Sequence, residues 1–165
     1  TASLGTVFYS QDDQPIAVRS DERRTVTWNV ATGKQYRVLE TGDSRSLVLV
    51  APHHCRVLTV GTRSAVDIWD LSSGELTCRI ELQAHTRVVC GAFHPAGGHV
   101  AIGMDGGGVR VWDLEEAREV GQLEQHEYPV KNVAFSKDGS HFAATCGDRV
   151  LVWTWDAMGR AESDR

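Results

Sequence analysis

VRVWDL at residues 109–114 and VDIWDL at residues 66–71 decide the fold of this chain, because each is a short β-type run that contains the dipeptide Trp-Asp. Two related runs are TVTWN at residues 25–29 and VLVWT at residues 150–154. The tryptophans of the four runs recur at intervals of 41, 43 and 41 residues, and they are Trp28, Trp69, Trp112 and Trp153. A repeat of this length predicts a stacked array in which no unit buries its apolar face alone.

Each unit carries a second landmark 18 or 19 residues before its tryptophan: Tyr9, Val50, Phe93 and Phe135. Each landmark ends a β-type run and is followed by a turn. The clearest turn contains Asp138-Gly139, a strong hairpin signal. Four short strands joined by tight turns are typical of a propeller blade. A single all-β sandwich or barrel is the alternative, but it does not predict landmarks that keep both their offset and their interval.

We therefore predict an all-β chain that forms a propeller segment of about four blades, with roughly 15 antiparallel strands, as part of a larger propeller. The predicted units are residues 4–39, 40–82, 83–123 and 124–156. Residues 157–165 are polar and are predicted to form a C-terminal tail or linker.

The chain resembles the WD40 repeat family over residues 4–156. The likeness is closest at IWDL (residues 68–71) and VWDL (residues 111–114). AHTRVVCGAFHPAGG at residues 84–98 and HEYPVKNVAFSKDGS at residues 126–140 are similar to the family's segment from its Gly-His dipeptide into the first strand. The resemblance implies a β-propeller that acts as a platform for protein interactions.

The resemblance also implies a hydrogen-bonded network of a His, a Ser or Thr, an Asp and the Trp within a blade. The fourth unit comes nearest to this set, whereas the third has Gly106 where the aspartate is expected and the first two lack the histidine. The residues assigned to blade structure are His126, Thr145, Asp148 and Trp153 in the fourth unit, His85 and Trp112 in the third, and Trp69 and Trp28 in the first two.

The fourth unit is predicted to be incomplete, because no strand signal follows its tryptophan run. Residues 150–155 would then form an unpaired apolar edge, which natural proteins avoid because such edges recruit other chains. Three explanations stay open: a piece of a longer propeller, self-association through this edge, or a self-sufficient four-bladed ring. The chain begins at Thr1, which also favours a fragment or a processed product.

Composition restricts the class of protein further. The hydrophobic fraction is 41% and the charged fraction 24%, as in ordinary globular proteins. A net charge of −5 without a basic run argues against nucleic-acid binding. No apolar stretch approaches the ~20 residues of a membrane-spanning helix, so no membrane partner is expected. The irregular spacing of the four cysteines favours free thiols and an intracellular protein, cytoplasmic or nuclear.

The sequence lacks the common nucleotide-binding and catalytic motifs. It contains no P-loop, no H-E-x-x-H and no G-x-S-x-G. His53-His54-Cys55 is the densest set of metal-capable side chains, and an exposed turn is the favoured interpretation. We therefore expect no cofactor, no metal and no catalytic residues.

One group of residues suggests a binding surface. In a propeller, the loops before the first strand and between the second and third strands of each blade emerge on one face. Arginine suits bidentate binding of carboxylate or phosphate, and aromatic and Met side chains serve as anchors. Acidic residues in the same loops favour the alternative of locally paired charges. The predicted partner-binding residues are Arg23, Arg24, Arg45, Arg63, Arg87, Met104, Tyr128 and Arg149.

The sequence thus favours a non-catalytic WD40-type scaffold that binds a partner protein, and in particular an acidic or phosphorylated peptide. The alternative is a regulatory or sensor module of a larger multidomain enzyme, such as a kinase or NTPase, whose catalytic part lies outside this chain. Direct catalysis on the propeller and nucleic-acid binding are disfavoured.

Overall fold

The fold consists of short antiparallel strands. A computed structural model describes residues 5–9, 15–20, 24–41, 44–51, 55–61, 64–83, 86–123, 128–155 and 161–163. These residues contain sixteen strands in four sheets, and each sheet has four strands that follow one another in chain order. The predicted all-β class, with about four blades, is thereby confirmed. None of the described residues belongs to a helix long and apolar enough to cross a membrane.

The chain divides into two compact units, Thr1–Leu82 and Gln83–Arg165, with two sheets in each. In the first unit, the first sheet comprises Gly5–Tyr9 (β1), Pro15–Ser20 (β2), Thr25–Asn29 (β3) and Lys34–Leu39 (β4). The second sheet comprises Ser44–Ala51 (β5), Arg56–Gly61 (β6), Ala65–Asp70 (β7) and Leu76–Glu81 (β8).

The second unit repeats this arrangement. The third sheet of the chain lies in this unit and comprises Val88–Phe93 (β9), His99–Met104 (β10), Val109–Asp113 (β11) and Arg118–Leu123 (β12). Its fourth sheet comprises Val130–Phe135 (β13), His141–Cys146 (β14), Arg149–Trp155 (β15) and Ala161–Ser163 (β16). In all four sheets the tryptophan lies on the third strand.

The residue after the tryptophan closes the turn into the fourth strand. The Asp70 carboxylate accepts the N–H groups of Ser72 and Ser73, both at 2.8 Å. The Asp113 carboxylate accepts those of Glu115 (2.8 Å) and Glu116 (3.0 Å), which lowers the pKa of Asp113. A short side-chain acceptor at this position favours a tight turn, which explains why Trp-Asp precedes a hairpin.

The core of the first unit lies between its two sheets. The first sheet contributes Ile16, Val18 and Leu39, and the second contributes Val57 and, just beyond β7, Leu71. Trp69 packs against this cluster from the second sheet. The face of a sheet that carries the tryptophan therefore covers the preceding sheet.

The second unit follows the same rule with a larger core. Ala101, Val109 and Val111 of the third sheet are fully buried. They belong to one cluster with Phe142 and Trp153 of the fourth sheet, whose rings lie 5.6 Å apart between centroids. Trp153 is only 6% exposed. Here again the tryptophan-bearing face of one sheet covers the sheet before it.

A histidine joins the two sheets of the second unit at one end. The imidazole of His94 lies against the indole of Trp155, with ring centroids 5.3 Å apart, and meets Phe135 edge-on at 5.1 Å. Its Nδ1 accepts the Ala96 N–H (3.1 Å), and its Nε2–H donates to the Gly139 carbonyl (3.2 Å). These bonds use both nitrogens of the neutral ring.

The fourth sheet differs from the prediction at its outer strand. Within the predicted tail, Ala161–Ser163 forms β16, which pairs with Trp153–Trp155 of β15. This corrects the expectation that residues 150–155 form an edge open along its whole length. The signal was absent from the sequence because Ala-Glu-Ser is polar and lacks β-branched residues, so the pairing depends on the neighbouring strand and not on local propensity.

Candidate functional site

In the second unit, the loops that the sequence predicted to form a binding surface lie at the same end of the two sheets. The Asp105 N–H donates to the Arg87 carbonyl (3.0 Å), which joins the loop before β9 to the β10–β11 turn. Val130 packs on Gly103, with its Cγ1 only 2.8 Å from the position of an added Cβ. This contact holds the start of β13 beside the end of β10. We call Arg87, Asp105, Tyr128, Asp148 and Arg149 the loop surface of the second unit.

Tyr128 is the aromatic side chain of the loop surface. It is 58% exposed, and its ring carbons Cγ and Cδ2 lie 3.1 Å from where a Cβ at Gly147 would be. Gly147 has φ +62°, which favours glycine at this turn. The ring therefore has the backbone of the β14–β15 turn on one side and remains exposed elsewhere. Such an aromatic group on a rigid support is suited to anchor a partner.

The charges of the loop surface are of both signs. Arg87 and Arg149 are exposed, and so are Asp105 and Asp148. Arg149 is the first residue of β15 and pairs with Cys146, so it lies at a strand end and not within the loop. The surface offers two guanidinium groups and an aromatic ring, with Asp148 next to Arg149 in sequence and Asp105 joined to Arg87 by a backbone hydrogen bond.

The remaining predicted binding residues lie elsewhere. Met104 is 7% exposed, and its Cε is 3.4 Å from an added Cβ at Gly108, so it supports the turn instead of presenting an exposed anchor. Arg24 is exposed in the first unit, just before β3. Arg45 lies in β5, where only its backbone is described. Arg23 and Arg63 lie outside the described residues.

The predicted polar network of the blades involves a residue that the sequence analysis missed. In the second sheet, Trp69 Nε1–H donates to Thr59 Oγ1 at 3.0 Å. Thr59 stands two residues after Val57, the strand partner of Trp69. This Trp–Thr bond lies in a unit that lacks the histidine of the network. A threonine on the second strand, ten residues before the tryptophan, was the signal that could have revealed it.

In the fourth sheet, strand register does not place the predicted Thr145 at the position that Thr59 has in the second sheet. Phe142 is the partner of Trp153, so the residue two positions later is Ala144 and not Thr145. Thr145 follows it and therefore points to the opposite face of the sheet. Asp148 is exposed in the β14–β15 turn. His126 and His85 lie outside the described residues, so the network of the third and fourth units stays a prediction.

Within the described residues, no three His, Cys, Asp or Glu side chains are grouped as a metal site requires. His53 and His54 lie outside the described part of the chain. An ion pair in the second sheet is structural: Arg79 donates to both carboxylate oxygens of Asp67, at 2.7 and 2.9 Å.

Comparison with known proteins agrees with this geometry. The family model described as "WD domain, G-beta repeat" matches residues 76–113 and 117–154. These matches contain β11 and the greater part of β15, with the tryptophans of the third and fourth sheets. The chain belongs to the WD40 repeat family.

Several curated proteins are similar to the chain. WD repeat-containing protein 26 homolog of Arabidopsis thaliana is 22% identical over 147 residues, which cover 87% of this chain and 25% of that protein. The probable cytosolic iron-sulfur protein assembly protein CIAO1 homolog of Caenorhabditis elegans is 34% identical over 134 residues, covering 74% of this chain and 40% of that protein. Target of rapamycin complex subunit LST8 of Mus musculus is 27% identical over 125 residues, covering 74% and 38%. The chain thus spans between a quarter and two fifths of these relatives.

Proposed function

We propose that the chain is a non-catalytic protein-interaction scaffold whose loop surface binds a partner protein through an acidic or phosphorylated segment. The observation that carries this proposal is Tyr128, which is 58% exposed yet rests on the backbone of Gly147. A large, rigid aromatic group loses little conformational entropy on binding. Arg149 and Arg87 supply planar guanidinium groups, which suit carboxylate and phosphate.

The relatives support the general role. One of them is named as a subunit of a complex and another as a cytosolic assembly protein. A scaffold of strands with binding loops is consistent with both names, because a rigid sheet positions its loops for contacts. We extend to this chain the role of a component of an intracellular protein complex.

The test is a binding measurement with matched peptide pools. Fluorescence anisotropy would compare acidic peptides with and without a phosphorylated residue, for the wild type and for the variants Arg87→Glu, Arg149→Glu and Tyr128→Ala. We expect each variant to weaken binding about tenfold or more, since a central anchor contributes at least ~1.4 kcal/mol.

Lys137→Glu is the matched control, because it makes the same charge change in the exposed β13–β14 turn at the other end of the fourth sheet. The control should bind within about twofold of the wild type, since exposed charges outside an interface contribute little. Equal losses in Lys137→Glu and Arg149→Glu would show a general charge effect and would contradict the proposal. Unchanged binding by all three loop-surface variants would contradict it too.

A second candidate is a regulatory propeller module of a larger enzyme. It is favoured by the coverage of the relatives, of which this chain spans 40% or less in the three proteins named above. Under this proposal, Tyr128→Ala would change the activity of the intact gene product without changing its catalytic residues.

A further inference from the structure

Two Asp-Gly dipeptides occur in the sequence, and each lies in a described hairpin turn of the second unit. Asp105-Gly106 lies between β10 and β11, and Asp138-Gly139 lies between β13 and β14. An aspartate before a glycine is able to rearrange, because the glycine N attacks the aspartate Cγ and closes a five-membered succinimide with loss of water. Water then opens the ring at one of its two carbonyls and gives either aspartate or isoaspartate, in which the main chain runs through the side-chain carboxyl.

The turn between β13 and β14 protects both reacting groups of its dipeptide. The Asp138 carboxylate accepts the Ser136 hydroxyl (2.6 Å) and both the N–H (3.0 Å) and the hydroxyl (2.8 Å) of Ser140. These bonds lower the pKa of Asp138, which keeps its carboxyl in the ionised, weakly electrophilic form. The Gly139 N–H donates to the Ser136 carbonyl (3.0 Å), and an added Cβ at Gly139 would stand 2.6 Å from His94 Nε2. This turn therefore has to open before it reacts.

The turn between β10 and β11 does not hold its aspartate in this way. Asp105 and Gly106 are both exposed, and no group within the described ranges of the chain donates to the Asp105 carboxylate. The N–H that closes this turn belongs to Gly107, which donates to the Met104 carbonyl (3.1 Å) and has φ +82°. Three glycines follow Asp105 in succession, so the backbone reaches the conformation for ring closure at little steric cost.

We propose that Asp105 is a site of isoaspartate formation in the folded protein, and that the product is a substrate for an S-adenosylmethionine-dependent carboxyl methyltransferase. Ring closure releases one water and hydrolysis consumes one, so isomerisation needs no co-reactant and leaves the mass unchanged. The α-carboxylate of the isoaspartate then takes the methyl group from the sulfonium of S-adenosylmethionine, which becomes S-adenosylhomocysteine. Attack of the Gly106 N on this ester expels methanol and re-forms the succinimide, which hydrolyses in part to aspartate.

Isomerisation at Asp105 changes the loop surface of the second unit. The Asp105 N–H donates to the Arg87 carbonyl (3.0 Å), and the Met104 N–H donates to the Gly108 carbonyl (3.0 Å) across the turn. Isoaspartate lengthens the main chain of this turn by one methylene carbon. Because loop length sets the register of a hairpin, the two bonds cannot both keep their geometry. The modification therefore disturbs the joint between the β10–β11 turn and the loop that carries Arg87.

The test follows isoaspartate in the complete native gene product during storage at neutral pH, well below its unfolding temperature. Peptides that contain each dipeptide are separated, and isoaspartate is identified by electron-transfer fragmentation. We expect isoaspartate to accumulate at Asp105 at least about tenfold faster than at Asp138, because the protected turn reacts only when it opens. In concentrated denaturant, where neither turn is formed, the two rates should agree within about threefold. Methyl acceptance is measured with a protein-L-isoaspartate methyltransferase and labelled S-adenosylmethionine, and the label should appear at position 105 of the stored, folded protein.

Variants examine the two turns separately. Gly106 is outside the left-handed region, so Gly106→Ala should preserve the turn while its methyl group slows isomerisation at Asp105 severalfold. Ser136→Ala with Ser140→Ala removes two hydroxyl donors from Asp138 and should speed isomerisation there severalfold, with no change at Asp105.

Three results would overturn the proposal. One is an equal rate at the two aspartates in the folded protein. Another is an Asp105 that stays unmodified while the denatured chain accumulates isoaspartate at that position. The third is isoaspartate at Asp105 that accepts no methyl group in the folded protein.

Discussion

Replacing Gly103 by alanine tests the close approach of the third and fourth sheets. An added Cβ would lie 2.5 Å from Cys90 Sγ, 2.8 Å from Val130 Cγ1 and 3.2 Å from Val130 Cβ. All of these atoms belong to buried residues. Separations below 3.0 Å cannot persist, so side chains or strands must shift, and overpacking of this kind costs about 1–3 kcal/mol. We expect Gly103→Ala to lower the free energy of unfolding by about 2 kcal/mol or more.

The assay is urea unfolding at neutral pH, followed by tryptophan fluorescence. Gly98→Ala is the matched control, because an added Cβ there meets nothing within 4 Å. It should leave the free energy of unfolding within about 0.5 kcal/mol of the wild type. Val130→Ala removes the Cγ1 atom that the new Cβ would meet. In the double variant with Gly103→Ala, the loss of free energy of unfolding should therefore be about 1 kcal/mol less than the sum of the two single losses. Equal stability of Gly103→Ala and Gly98→Ala, or strict additivity with Val130→Ala, would refute the reasoning.

Three further outcomes concern single side chains. Trp69→Phe removes the donor to Thr59 and should cost about 1 kcal/mol in urea unfolding. A double-mutant cycle with Thr59→Val should show coupling, and its absence would mean that the bond is not formed in solution. Burial raises the pKa of the Cys90 thiol to about 11 from its usual 9.0. The folded state then holds this proton more tightly, so its contribution to stability is complete below pH 9 and declines as the pH rises through about 11. In Cys90→Ala, the unfolding midpoint should therefore fall less between pH 8 and pH 10 than it does in the wild type. The same fall in both proteins would contradict this. Arg79→Ala leaves the Asp67 carboxylate, whose side chain is 9% exposed, without its ion pair. Because Arg79 is itself 54% exposed, the loss in the free energy of unfolding should be limited to about 1 kcal/mol. The double variant Arg79→Ala with Asp67→Asn should recover most of this loss. A double variant as unstable as Arg79→Ala would contradict this.

Sequence reasoning worked best where the signal is local. The tryptophan interval, the alternation of apolar residues and turn dipeptides such as Asp138-Gly139 predicted four units of short strands, and the structure has four sheets. Turn chemistry is equally local, since Asp70 and Asp113 accept N–H groups two or three residues away. For the candidate site, Tyr128 and Arg149 could be named from their loops, and both are exposed at one end of the second unit.

The sequence by itself determined the strands other than β16, their order and the repeat, because side-chain periodicity and turn residues act within a few positions of the chain. Only the tertiary structure decided that Met104 is buried, that Thr59 bonds to Trp69, and that β16 pairs with β15. Only the tertiary structure, likewise, leaves Val150 exposed although Val109 at the same position of the repeat is buried. Burial and pairing depend on what another strand or sheet brings into contact, and residues of the same type at the same register position differ when that neighbour differs.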